Sequence, residues 1–217
     1  METKEITIID IKKLKCFDGL YYSFELIEYY HSGLYKHCCN INENSESITP
    51  ALASCWGFID ALHRIREITQ SIPSLSTKHP EVRKFLDFTS IAEDYRHYMQ
   101  HLRRELVKSE PNTFPVWGAI AWIDEIKAEL SYLAILGVQI EGTNYSGCVY
   151  DTFKKKWVSR VTLGIENKSF NFDPIFEATM NFKKFVMPFM LASKDALVEY
   201  NQNKLPIIQL SIFHGNI

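Results

Sequence analysis

Between Glu93 and Glu105 the chain sets two histidines, His97 and His101, among three arginines, Arg96, Arg103 and Arg104, with Glu93 and Asp94 just ahead of them. An imidazole whose ordinary pKa is near ~6.5 can take or give a proton at neutral pH. A guanidinium stays charged and offers two parallel N–H donors to the oxygens of a phosphate. Together these groups suit the cleavage of a phosphodiester. The same residues also have a plainer reading. Glu93–His97, His97–His101 and His101–Glu105 are all i,i+4 pairs, the ordinary furniture of a solvated helix face.

The run Arg96-His97-Tyr98-Met99-Gln100-His101 resembles the Arg-x4–6-His signature of the HEPN superfamily, including the polar residue that usually follows the arginine. The resemblance covers residues 15–108, with a helix at 174–200 as a fourth member. It implies an α-helical bundle that dimerises and acts as a metal-independent endoribonuclease with no cofactor. RNA carries its own nucleophile, the 2′-hydroxyl, and on this resemblance His101 would move the protons, Arg96 would bind the phosphate, His97 would orient one of them or hold the neighbouring phosphate, and Gln100 and Arg104 would bind substrate. In toxin-like members it also implies a cognate antitoxin partner. Other members of such a fold are catalytically silent binding or dimerisation modules, which is the first alternative. The second is a metal-dependent helical-bundle enzyme: His97 and His101 form a His-x3-His pair, and Asp60 and His63 would complete a site if their helix faced it. Geometry sets one condition on the nuclease. Residues five apart lie about 140° from each other on a helix, so Arg96 and His101 cannot enter one narrow pocket from the same straight helix. A second copy meeting the first across a twofold axis would present both.

These residues need a scaffold, and the expected one is α+β and predominantly α-helical: a HEPN-like bundle with an inserted antiparallel sheet, in one domain over 1–217. Residues 5–11 partly alternate and predict a short strand. Phe17, Leu20, Tyr21, Phe24, Ile27, His31 and Leu34 recur at helical spacing and predict a first helix over about 15–39, with His31 as a hydrogen-bonded core histidine. Thr49 as cap and Pro50 in the first turn predict a second helix. Its stripe is Leu52, Cys55, Ile59 and Leu62, and Asp60, Arg64, Arg66 and Glu67 mostly fall elsewhere. Pro80-Glu81 opens a third, whose core face is Phe88, Ile91, Ala92, Tyr95, Met99, Leu102 and Leu106.

Residues 113–172 then predict the inserted sheet. Val161, Leu163 and Ile165 alternate with polar positions, Glu166-Asn167-Lys168 reads as a hairpin turn, and Phe170 and Phe172 lie on the return strand. Asp173-Pro174 starts a last helix over 173–200, kinked at Pro188, and 205–214 reads as a final strand.

Composition limits the partners. The formal charge of −2 disfavours a broadly basic nucleic-acid-binding surface and leaves room for a local basic cleft. Lys154-Lys155-Lys156, beside Trp157, is a candidate RNA-backbone contact or a solubilising strand edge. Five cysteines without Cys-x-x-Cys spacing, and an N-terminus without an apolar signal region, predict reduced thiols, a cytoplasmic location and no membrane association.

Overall fold

The computed structural model describes residues 8–44, 47–108, 115–127, 129–138, 140–142 and 145–192. Among these residues six helices and six strands follow one another as α1 (Ile8–Asn44), α2 (Thr49–Ser71), α3 (Pro80–Phe88), α4 (Ile91–Gln100), α5 (Leu102–Glu105), β1 (Ala119–Ile123), β2 (Ser131–Ile135), β3 (Tyr150–Asp151), β4 (Lys156–Trp157), β5 (Val161–Ile165), β6 (Lys168–Asn171) and α6 (Phe172–Ala192). This is an α+β chain, mostly helical, with its strands falling between α5 and α6 in sequence.

The core begins with α1. Phe17, Leu20, Phe24, Ile27, Leu34 and Cys38 are all buried, three or four residues apart with His31 filling the gap, which lays one apolar stripe along the helix. That stripe packs on the buried face of α2, from Ala51 through Cys55, Phe58, Ile59 and Leu62 to Ile65. Gly19 faces Ile68 and Gly57 faces the ring of Tyr30, so the two helices run antiparallel. At Gly57 a Cβ would lie 2.3 Å from that ring, so a larger residue there would have to displace Tyr30.

The four-stranded antiparallel sheet has the order β2-β1-β5-β6. Its central strand β5 is buried along its whole length, and β1 at four of its five residues. Strand β2 alternates towards solvent, as an edge strand does. One face packs on the helices through Phe170, whose ring meets those of Phe58 and Tyr95. Against the sheet lies the stretch ending at Val149: the Gly147 N–H donates to Ser169 Oγ at 2.7 Å, and the Thr162 hydroxyl donates to the Gly147 carbonyl. A Cβ at Gly164 would sit 2.0 Å from the Ser146 carbonyl oxygen, so this crossing requires glycine in β5. A separate two-stranded hairpin, β3–β4, carries the exposed Lys154, Lys155 and Lys156.

Several expectations from the sequence are corrected. Residues 8–11 are the first turn of α1 and not a strand; no turn residue separates them from the helical pattern that follows. Thr49 is the first helical residue of α2, with Ile48 at the cap position and the Ser47 hydroxyl accepting from the Thr49 N–H at 3.2 Å. The third predicted helix is three pieces. It breaks at Thr89-Ser90 and again at His101, and so Phe88 (54% exposed) and Leu106 (60%) fall outside the core face assigned to them. Phe172 opens α6 instead of extending β6. Pro188 lies inside α6, while the predicted continuation to Tyr200 and the strand at 205–214 fall outside the described residues. No helix among the described residues is long and apolar enough to cross a membrane.

One polar clamp ties α1, the sheet and α6 together. Asp173, in the first turn of α6, meets His31 Nε2 at 2.9 Å and Arg160 Nη2 at 2.8 Å, and it accepts from the Arg160 backbone N–H at 2.6 Å. The His31 ring stacks on Phe176 at 3.8 Å, and the Arg160 guanidinium lies over Tyr35. Burial acts against the Asp173 carboxylate, but the bonds from His31 and Arg160 outweigh it and hold its pKa well below the ordinary carboxylate range. The unfolded chain therefore binds the proton first. The stabilisation is fully present above the unfolded value near ~3.9 and drains away as pH falls towards the lower folded value. Asp173→Asn is expected to lose about 2 kcal/mol at neutral pH, the scale of a charged hydrogen bond. The variant should also lose stability less steeply than the parent on acidification below about pH 4. Urea denaturation at a series of pH values checks both; parallel curves would remove Asp173 from the acid response.

Candidate functional site

Helix α4 carries the motif, and two tyrosines set its rotation. Tyr95 is buried against the sheet, where its hydroxyl lies 2.6 Å from the Leu163 carbonyl and 3.0 Å from that of Lys168. Tyr98 donates to the Val116 carbonyl at 2.7 Å. Burial pushes both phenols up, Tyr98 to about 12 with Glu105 and Glu166 adding to the effect. Ion pairs flank them: Asp94 with Lys168 at 3.1 Å, and Lys108 with both Glu105 and Glu166. With Tyr95 and Tyr98 facing inward, the directions of the remaining residues follow from the helical period.

Arg96 turns towards α2. Its Nη1 meets Asp60 Oδ1 at 3.1 Å, while the other oxygen of Asp60 is held by Arg64 Nη2 at 2.7 Å. The Arg96 side chain is 37% exposed and its Nε is buried with no hydrogen-bond partner. It lines an open groove of 680 Å³ between α1, α2 and α4, whose α1 wall includes Asp18, Tyr22 and Leu26.

His97 and His101 face elsewhere. Both are exposed, and their rings contact each other with centroids 4.3 Å apart. His101 is the residue at which α4 ends; its φ of −108° and ψ of 23° leave the helix, although its N–H still bonds to the His97 carbonyl at 3.0 Å. Gln100, Arg103 and Arg104 are exposed beside them. Among the described residues no carboxylate pairs with His97, His101, Arg103 or Arg104. The result is an uncompensated patch of imidazole and guanidinium.

Within one chain, then, His97 and His101 come together and Arg96 is directed into a different place, as the 140° separation requires. The alternative metal set of His97, His101, Asp60 and His63 does not gather. Asp60 is held between two arginines, and His63 lies by Glu93, with Nδ1 3.1 Å from Oε2. The described groups that could share one ion are His63, Glu67 and Glu93.

No family model, curated protein or solved structure matches this chain. The site therefore rests on its own geometry.

The pairings of two residues in this region have no signal in the sequence. Asp60 is the partner of Arg96, a contact between α2 and α4 that no spacing along the chain reveals. Arg66 is buried and bonds to Glu93 Oε1 (2.7 Å), to the Leu86 carbonyl (2.6 Å) and to Thr89 Oγ1 (2.6 Å), although its helical position had placed it off the core stripe. Two of those partners lie at the break between α3 and α4. There the Thr89 hydroxyl donates to Phe85 and competes with the helical ladder.

Proposed function

We propose that the chain is a HEPN-like RNA endonuclease, independent of metal and active as a homodimer, in which His101 transfers protons and Arg96 engages the scissile phosphate. The observation that carries this reading is the exposed contact pair His97–His101, with Gln100, Arg103 and Arg104 around it and no carboxylate paired with them among the described residues. An anionic backbone is the natural complement of such a surface, and an accessible imidazole can exchange protons with a substrate hydroxyl.

Arg96 joins the chemistry from a second copy. Tyr22 and Leu26, which share its groove, and Tyr29 one turn on are exposed to 43%, 38% and 72%, an apolar stripe on α1 suited to a twofold contact. Asp60 orients the guanidinium until the phosphate competes for it. A toxin-like role with a cognate antitoxin partner extends the same reading.

The deciding experiment mixes two variants, Arg96→Ala and His101→Ala, each inactive alone against RNA in EDTA. If the site forms across the dimer, the mixture regains about a quarter of the parent activity, because half the dimers are mixed and each holds one intact site. A mixture that stays inactive, with both variants folded and exchanging subunits, rejects the shared site. The Arg96–Asp60 ion pair favours one second reading. If Asp60 never releases the guanidinium, the chain is a binding and dimerisation module, and the parent protein cleaves no RNA at all.

A further inference from the structure

We infer that His63 and Glu67 of α2 and Glu93 of α4 form a site for a divalent transition-metal ion such as zinc, separate from the His97–His101 surface. His63 and Glu67 stand four residues apart and share a face of α2, and Glu93 reaches them from the first turn of α4. One donor atom from each lies within 4.8 Å of the others. A single nitrogen and two carboxylates form an ordinary three-ligand set for such an ion, with further positions left for water or substrate.

Two details set this cluster apart from a chance meeting of charges. The first is His63 Nδ1. It lies 3.1 Å from Glu93 Oε2, is shielded from solvent, and yet makes no hydrogen bond. Two donor atoms that close, but off the line of a hydrogen bond, are spaced like two ligands of one ion: bonds of 2.0–2.1 Å in a tetrahedron put neighbouring ligands about 3.3 Å apart. The second is Arg66, which holds the other oxygen, Glu93 Oε1, at 2.7 Å and is itself buried and fixed by Leu86 and Thr89. An outer partner that orients a ligating carboxylate in this way is a regular part of metal sites. Glu67 is exposed at the groove, so its side chain is free to swing inward and complete the set. Because His63, Glu67 and Arg96 all line that groove, an ion there would bridge α2 to α4 three residues from Arg96.

The test uses the full chain stripped of metal with a chelator and titrated with Zn²⁺, and separately with Co²⁺, by calorimetry and visible absorption. The site predicts one ion per chain, a d–d band for Co²⁺, and a melting temperature that rises with metal concentration. Glu67→Gln, an exposed and conservative change, should weaken binding at least about 10-fold, the lower end of what perturbing a metal site costs, while the His97→Ala/His101→Ala double variant binds as the parent does. No binding by the parent overturns the inference. So does the converse pattern, with Glu67→Gln unaffected and the double variant deficient, because it moves the ion to the exposed histidine pair. Neither outcome depends on RNA cleavage, which is assayed in EDTA.

Discussion

Replacing His101 by alanine is expected to slow RNA cleavage by about 10²–10⁴-fold, the range supplied by a single general acid or base, with little change in stability. The side chain is exposed and its ring contacts that of His97. The bond that closes the last turn of α4 runs from the His101 backbone N–H, which alanine retains. His97→Ala should cost less, on the order of 10-fold, because it removes a ring that steadies His101 and not the proton carrier itself. Cleavage of a fluorescent RNA in EDTA, read beside thermal melts of each variant, separates chemistry from folding. A His101→Ala protein that cleaves at the parent rate would place the chemistry elsewhere. An ordering reversed between the two variants would make His97 the proton carrier.

The contrast between His101 and Arg96 was already contained in the helical period. At 100° per residue the two must diverge, and the structure turns Arg96 to Asp60 and His101 to solvent. The stripe from Phe17 to Leu34, the proline at the start of α3 and the turn between β5 and β6 were legible for the same reason: each is set by residues within one or two turns of chain. The break at Thr89-Ser90 was hidden because apolar residues continue at helical spacing on both sides of it. Periodicity registers which face is apolar and not whether the ladder is unbroken. At that break the Thr89 hydroxyl donates to the Phe85 carbonyl, beside the Thr89 N–H, and accepts from an arginine 23 residues earlier. Pairings between helices, such as Asp60 with Arg96 and Arg66 with Glu93, depend on how two elements pack and have no counterpart in local spacing. The uncompensated charge of the candidate site was likewise invisible. Glu93, Asp94 and Glu105 are its neighbours in sequence, and only their engagement by Arg66, Lys168 and Lys108 withdraws them from the histidines.

That withdrawal makes Arg66 the residue whose loss should cost most stability. Arg66→Met keeps an apolar stem of similar length but removes the guanidinium and every hydrogen bond it makes. The Leu86 carbonyl and Thr89 hydroxyl lose a charged donor inside the protein, and the partly exposed Glu93 loses the cation that fixes it. Removing one member of a buried ion pair typically costs 3–5 kcal/mol; because Glu93 is 41% exposed and can rehydrate, about 3 kcal/mol is expected, towards the lower end of that range. Arg64→Met, two residues earlier and in contact with Asp60 but 61% exposed, should cost less than about 1 kcal/mol, as surface pairs do. Urea unfolding of the two variants under identical conditions makes the comparison, and equal losses would show that the buried network carries no special weight. Function should follow stability here. With Arg66 gone, Glu93 is free to swing towards Arg96 and His97 on its own helix, which returns a carboxylate to the surface proposed to receive RNA. Arg66→Met should therefore bind RNA more weakly even at temperatures where it is fully folded. The double variant Arg66→Met/Glu93→Gln should recover binding without recovering stability. Failure of that recovery would mean that Arg66 acts on the fold alone.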